Sequence, residues 1–197
     1  MRKRFLQCAM LMLLILCGCK SQTKPAPVHT PDEVMQLYLE AVKQQDGLTM
    51  AEYTIDHNGI DFSISDEEAK AMGLQKDSMQ KLYDYLLNFT YTNDVAAIKD
   101  TTAEIKLHIK AYDIQKCLSD IVKKKEESFQ EINGDDLSEA DKNQKIADII
   151  VNEFKNAKRT YKFDVVFHLQ LVENEWLINS QDEAKLMDNL FMLKEKD

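Results

Sequence analysis

Two stretches of strict alternation constrain this chain most. Ala103, Ile105, Leu107, Ile109 and Ala111 alternate with Thr102, Glu104, Lys106, His108 and Lys110. From Tyr161 onward, Tyr161, Phe163, Val165, Phe167, Leu169 and Leu171 take every second position. A period of two puts one set on one face of a strand and the intervening residues on the other, so each stretch reads as a strand with one buried face. Each also has a short neighbour. Phe89 to Ile98 reads as an antiparallel partner joined through a turn at Lys99-Asp100-Thr101, and Glu173-Asn174 turns the second strand into Trp176-Leu177-Ile178.

Helical spacing fills the intervals. Thr30-Pro31-Asp32-Glu33 has a Thr at the N-cap, Pro at the first helical position and Glu at the third, a capping box. Val34, Leu37, Tyr38, Ala41 and Val42 follow at helical spacing, and Gly47 is expected to close that helix. Residues 48–73 read as short helices and a loop, and Gln75 to Leu87 as a helix through Met79, Leu82, Tyr83 and Leu86. Residues 114–158 form two helical segments around Asn133-Gly134-Asp135-Asp136, a helical hairpin inserted between the strand pairs. Ser180-Gln181-Asp182-Glu183 reads as a second capping box, opening a final helix through Ala184, Met187, Leu190 and Phe191. The fold class is therefore α+β: a curved antiparallel sheet of about four strands packed on N-terminal and C-terminal helices.

The closing pattern of long strand, acidic turn, Trp176-Leu177-Ile178-Asn179 and Leu-rich helix resembles small Gram-positive lipoproteins whose domain is NTF2-like, or cystatin-like. The resemblance implies a sheet curved around the N-terminal helices with a cavity in its concave face. The hairpin departs from the minimal fold of that type, and would either roof the cavity or fill it.

The start of the chain carries its own signal. Arg2-Lys3-Arg4 precedes an apolar run from Cys8 to Cys17, too short to span a bilayer, which needs about 20 residues in a helix. That is the pattern of a secretory signal peptide over residues 1–18. Its end, Leu16-Cys17-Gly18-Cys19, resembles the lipobox of bacterial lipoproteins. The resemblance implies cleavage between Gly18 and Cys19, with the Cys19 thiol carrying a diacylglyceryl group, and acyl chains such as palmitate holding the protein at the membrane. Residues 19–29, with Pro25 and Pro27, read as a lipidated tether, and residues 30–197 as one domain.

Charge narrows the partners. The sequence has 25 Lys and Arg and 34 Asp and Glu. Because residues 1–18 hold three basic residues and no acid, the remainder has 22 against 34, a net charge of −12. Such a surface repels phosphate backbones, so nucleic acid is not an expected partner. Cys117 is the one thiol left in the domain, in an apolar helical pattern with Ile114, Leu118 and Ile121. It reads as a buried Cys or, alternatively, a reactive thiol. Lys123-Lys124-Lys125-Glu126-Glu127 reads as a solvated helix face.

Catalytic candidates are few. His29 lies in the tether, His108 on the polar face of its strand, and His168 opposite the large aromatics, so that His168 reads as a surface or edge imidazole. Asp56-His57 before Asn58-Gly59 fits a turn, or the base of a pocket enzyme. No Cys or His pair has zinc spacing, neither Asp61–Asp66 nor Asn133–Asp136 has the ligand order of a calcium loop, and no phosphate-binding Gly run occurs, so no metal or cofactor is expected. Tyr38, Tyr53, Tyr83 and Tyr85 lie on helices expected to face the sheet, where they would either line an apolar pocket or pack in the core. The expectation is a non-enzymatic domain anchored through Cys19 on the extracytoplasmic face of the cell membrane, binding a small apolar molecule, a peptide or an envelope protein. The alternative is an isomerase or lyase acting in the concave face of the sheet with His57 or Asp56 as base.

Overall fold

A computed structural model of the chain describes residues 26–71, 74–132 and 137–191. The signal peptide, Gly18, Cys19 and Asn133–Asp136 lie outside the described residues. In chain order the elements are α1 (Pro31–Gln44), α2 (Gly47–Glu52), α3 (Asp66–Ala71), α4 (Lys76–Leu86), β1 (Thr90–Asn93), β2 (Ala97–Lys99), β3 (Thr102–Ala111), α5 (Ile114–Glu127), α6 (Phe129–Ile132), α7 (Glu139–Asn156), β4 (Tyr161–Val172), β5 (Glu175–Ile178) and α8 (Ser180–Leu190).

The two alternating stretches are the centre of the sheet. β3 and β4 pair antiparallel from Thr102↔Gln170 to Ala111↔Tyr161, across the whole helical insertion. β5 lies on the far side of β4, while β1 and β2 both pair with β3, giving an antiparallel half-barrel of five strands. Between the Asn93↔Leu107 and Ala97↔Glu104 pairs the β1–β2 side advances four residues and β3 three, so one extra residue bends that edge. Glu173 and Asn174 both have positive φ, 48° and 76°, the two-residue turn whose twist suits a hairpin.

Ile105, Leu107 and Ile109 of β3, with Val165, Phe167 and Leu169 of β4, face Met35, Tyr38, Leu39 and Val42 of α1 and Leu186 and Leu190 of α8 in one continuous core. Tyr38 meets Phe167 with ring centroids 6.0 Å apart. The inner face of the sheet is thus occupied by two helices. The cavity implied there by the resemblance is filled with side chains, each stabilising the fold by about 1.5–3 kcal/mol on burial.

The helical insertion neither roofs nor fills the sheet. Cys117 and Ile121 of α5 and Ala147 and Phe154 of α7 pack with Met79, Leu82 and Leu86 of α4 and with Ile64, Ala69 and Leu74 in a second core. Tyr83 and Tyr85 belong there too, away from the sheet, so the four tyrosines do not line one pocket. Leu118 and Val122 are more than half exposed, because the apolar stripe of α5 is wider than the face it buries.

Two local expectations need correction. Gly47 does not close α1; Gln45 does, in the left-handed conformation (φ 58°), and Gly47 begins α2. Gly47 and Gly59 instead let two backbones touch: a Cβ on Gly59 would lie 1.8 Å from the Gly47 carbonyl oxygen, and one on Gly47 2.0 Å from that of Ile60. Ser180 does not cap α8 either. Asn179 does, its side chain accepting from the Gln181 N–H at 3.0 Å. The Thr30 capping box forms as expected, with the Glu33 carboxylate accepting from the Thr30 N–H at 2.8 Å.

Candidate functional site

Two recesses of the molecule lie against the loop between α2 and α3. Its start is stitched to the edge of β5: the Ile55 N–H donates to Ile178 O at 3.0 Å and the Ile178 N–H to Tyr53 O at 2.8 Å. Buried Thr54 lies between them, its hydroxyl 3.3 Å from the Ala51 and Asn58 carbonyls. The Gly47–Gly59 contact fixes the loop against α2, and the chain then inserts Phe62 into the sheet core and Ile64 into the helical core. The loop therefore marks the junction of the two cores.

Two recesses meet there. An open cleft of about 700 Å³ lies between the end of α1, α2, the loop and α4, with Gln45, His57, Asp61, Gln80 and Asp84 among its walls. Gln45 Nε2 donates to Asp84 at 2.8 Å, and Gln80 Nε2 donates to Gln45 Oε1 at 2.7 Å. The second recess, about 390 Å³, is walled by Val34, Tyr53, Trp176 and Leu177, with Glu52 and Glu175 at its rim and His29 of the tether along it. His57 lines both. Its backbone is left-handed (φ 51°), and Nδ1 lies 3.1 Å from the Ala51 carbonyl. A carbonyl only accepts, so Nδ1 donates and in the neutral ring Nε2 is left as an acceptor.

The neighbouring candidate, Asp56, is engaged in its own turn, accepting from Asn58 Nδ2 at 3.2 Å and from the Asn58 N–H at 3.4 Å. The Ser180 hydroxyl beside it, with Asn58, holds its carboxyl below the usual range. His57 thus sits at a recess while Asp56 is turn chemistry.

His168 exposes its ring on the outer face, as expected, but is not free. Asp182, almost fully buried, accepts from the His168 N–H and lies against its Nδ1, both at 2.9 Å, and accepts from Lys185 Nζ at 2.6 Å. Those donors outweigh burial and keep the Asp182 carboxyl low. His108 lies on the outer face between Asp164 (2.9 Å) and Asp94 (3.4 Å), with Lys106 2.7 Å from Asp164; the two acids raise the imidazole pKa. Cys117 is buried, and burial pushes its thiol pKa up, the environment of an inert Cys. Among the described residues no group of three or more His, Cys, Asp or Glu is arranged to hold a metal ion.

Sequence reasoning missed one pair. The Tyr38 hydroxyl and Glu183 Oε1 are buried in the sheet core, and neither has a hydrogen-bond partner among the described residues. Burial raises both pKa values, strongly for Tyr38, and Asp56 adds to the rise at Glu183. Neither residue lines the recesses at His57. The signal available was the position of Tyr38 on the apolar face of α1 opposite a helix that begins with three acids and amides.

No family model matches the chain, and no curated protein does. Among solved structures, ycdA of Bacillus subtilis, described as a "putative lipoprotein", superposes with a TM-score of 0.47 at 14% identity, over 86% of this chain and 50% of that one. The chain spans half the length of that protein. No helix among the described residues is long and apolar enough to cross a membrane.

Proposed function

We propose that this protein is a lipid-anchored binding domain at the extracytoplasmic face of the cell membrane, which holds its ligand in the recesses meeting at His57. The observation that carries the binding reading is the junction itself. Two recesses share one imidazole, on a loop fixed by backbone contacts at Gly47–Gly59 and at Tyr53–Ile178, so the walls are preorganised.

The anchor supports the same reading. Cys19, in the lipobox-like Leu16-Cys17-Gly18-Cys19, is the attachment point, and Gly18 the residue before the cut. Asn174 Nδ2 donates to the Ala26 carbonyl at 2.7 Å, so the tether joins the domain beside the smaller recess. Seven residues from Cys19 to Ala26 reach about 24 Å when extended. A ligand in that recess therefore lies close to the bilayer, which suits a partner embedded in or bound to the same envelope. The membrane is engaged through the lipid, and nucleic acid is disfavoured by the net charge of −12 that residues 19–197 carry.

Binding of small polar and aromatic fragments to the isotope-labelled protein, followed by backbone chemical shifts, tests this. Hits should perturb Leu48, His57, Gln80 and Tyr53 together. Hits confined to the Cys117 recess or to the outer face of the sheet would count against it.

A further inference from the structure

We infer that the ligand of these recesses is a basic peptide segment, one that alternates Lys or Arg with apolar side chains; the inference rests on the binding reading above. The larger cleft is walled by Asp61 and Asp84, and the smaller has Glu52 and Glu175 at its rim. Among the described residues no Lys or Arg lines either one, although the sequence holds 25 of them. Lys43, next in sequence to the cleft residues Gln44 and Gln45, is turned the other way, with Nζ 5.4 Å from the Phe89 ring centroid and 5.0 Å from that of Tyr91.

The hydrogen bonds made by Gln45, Gln80, Asp84 and His57 leave the larger cleft with the same sign as its charge. The Gln80 amide donates to Gln45 and Asp84, the Gln45 amide donates to Asp84, and His57 Nδ1 donates to Ala51. What these groups leave for a ligand is chiefly acceptors: carboxylate oxygens, Gln80 Oε1 and, in the neutral ring, His57 Nε2. Ammonium and guanidinium groups are all donor, and at physiological salt the attraction of an acidic recess reaches about 8 Å. The apolar requirement comes from the smaller recess, whose walls are Val34, Tyr53, Trp176 and Leu177, and from Leu48 beside the larger cleft, 85% exposed. A polyamine satisfies the carboxylates but leaves those walls wet. An extended peptide satisfies both, with His57 at the step between the two recesses.

The test uses the lipidated protein in nanodiscs of neutral lipid, with empty discs as blank, and a fluorescein-labelled Lys-Leu-Ser-Lys-Leu-Ser peptide read by anisotropy. The double variant Glu52→Gln/Asp84→Asn, one charge from each recess, should bind about tenfold more weakly. Glu126→Gln/Glu131→Gln, an equal charge removed from the helical insertion, should change affinity less than about twofold, and Leu48→Ser should weaken it about threefold. Equal losses from both double variants would reduce the effect to diffuse acidity and overturn the proposal. So would failure of the peptide to bind, or spermine binding as tightly as the peptide. If Glu-Leu-Ser-Glu-Leu-Ser binds as tightly, the cationic class is wrong while the recess remains a binding site. Fragments that also fail to perturb His57 would instead remove the binding reading itself.

Discussion

Glu183 shows how a single side chain can be misread from its neighbours. Ser180-x-x-Glu183 has the spacing of a capping box, yet Asn179 takes the cap. Starting the helix one residue earlier turns Asp182 toward His168 and Lys185, and leaves Glu183 facing Tyr38 in the core. Burial, then the charge of Asp56, raise the Glu183 pKa. The folded protein therefore holds this proton to higher pH than the unfolded chain does. The contribution of this group to stability is fully present below the unfolded carboxyl value of 4.5 and is lost as pH rises through the raised folded value. Glu183→Gln should thus raise the thermal midpoint at pH 8 by about 3 °C and change it little at pH 4. A variant less stable than wild type at both pH values would mean that Glu183 contributes a favourable contact instead. His57 and Asp56 were legible as a loop because Asn58-Gly59 is turn chemistry. Their separation, one at a recess and one folded back on Asn58, was not, because it depends on Ala51 and Ser180, distant from each other in sequence.

At the level of elements, strands were easier to read than the contacts of helices. An alternation of period two names its buried face, so β3 and β4 and their inward residues follow from spacing alone. An apolar stripe on a helix says only that something covers it. α5 is covered by α7, which in turn packs on α4 rather than on the sheet, and only part of the α5 stripe is covered, leaving Leu118 and Val122 in solvent. The bulge between β1 and β2 was invisible for a related reason: one extra residue in the Asp94–Ala96 stretch leaves no mark on a pattern already short. The two cores should accordingly loosen separately. Phe154→Ala removes the largest side chain that α7 buries and should destabilise the helical core by about 3–4 kcal/mol. Hydrogen exchange should then accelerate at Leu82, Leu86 and Ile121 well before it does at Ile105, Leu107 or Phe167. Uniform acceleration across both sets would show a single cooperative unit.

For the molecule as a whole, the two cores are joined by the chain from Phe62 to Ile64 and by Phe191, which touches both and meets Tyr83 with ring centroids 5.8 Å apart. The recesses at His57 open where that joint leaves the surface incompletely filled, and the chain after Ala26 runs beside the smaller one. With the proposed lipid on Cys19, a basic segment recognised beside Ala26 would be one presented close to the membrane. Neither recess could be read from the sequence, since their walls come from α1, α2, α4, the loop and β5 together, whereas the proposed anchor is read from Leu16-Cys17-Gly18-Cys19 alone. The central claim is that the domain works from a lipid on Cys19, and the mass of the N-terminal peptide of the protein isolated from membranes tests it most directly. We predict a peptide beginning at Cys19 and carrying a diacylglyceryl thioether, with the same preparation from Cys19→Ala yielding only uncleaved precursor. A mature N-terminus at any other residue, or an unmodified Cys19, would contradict it.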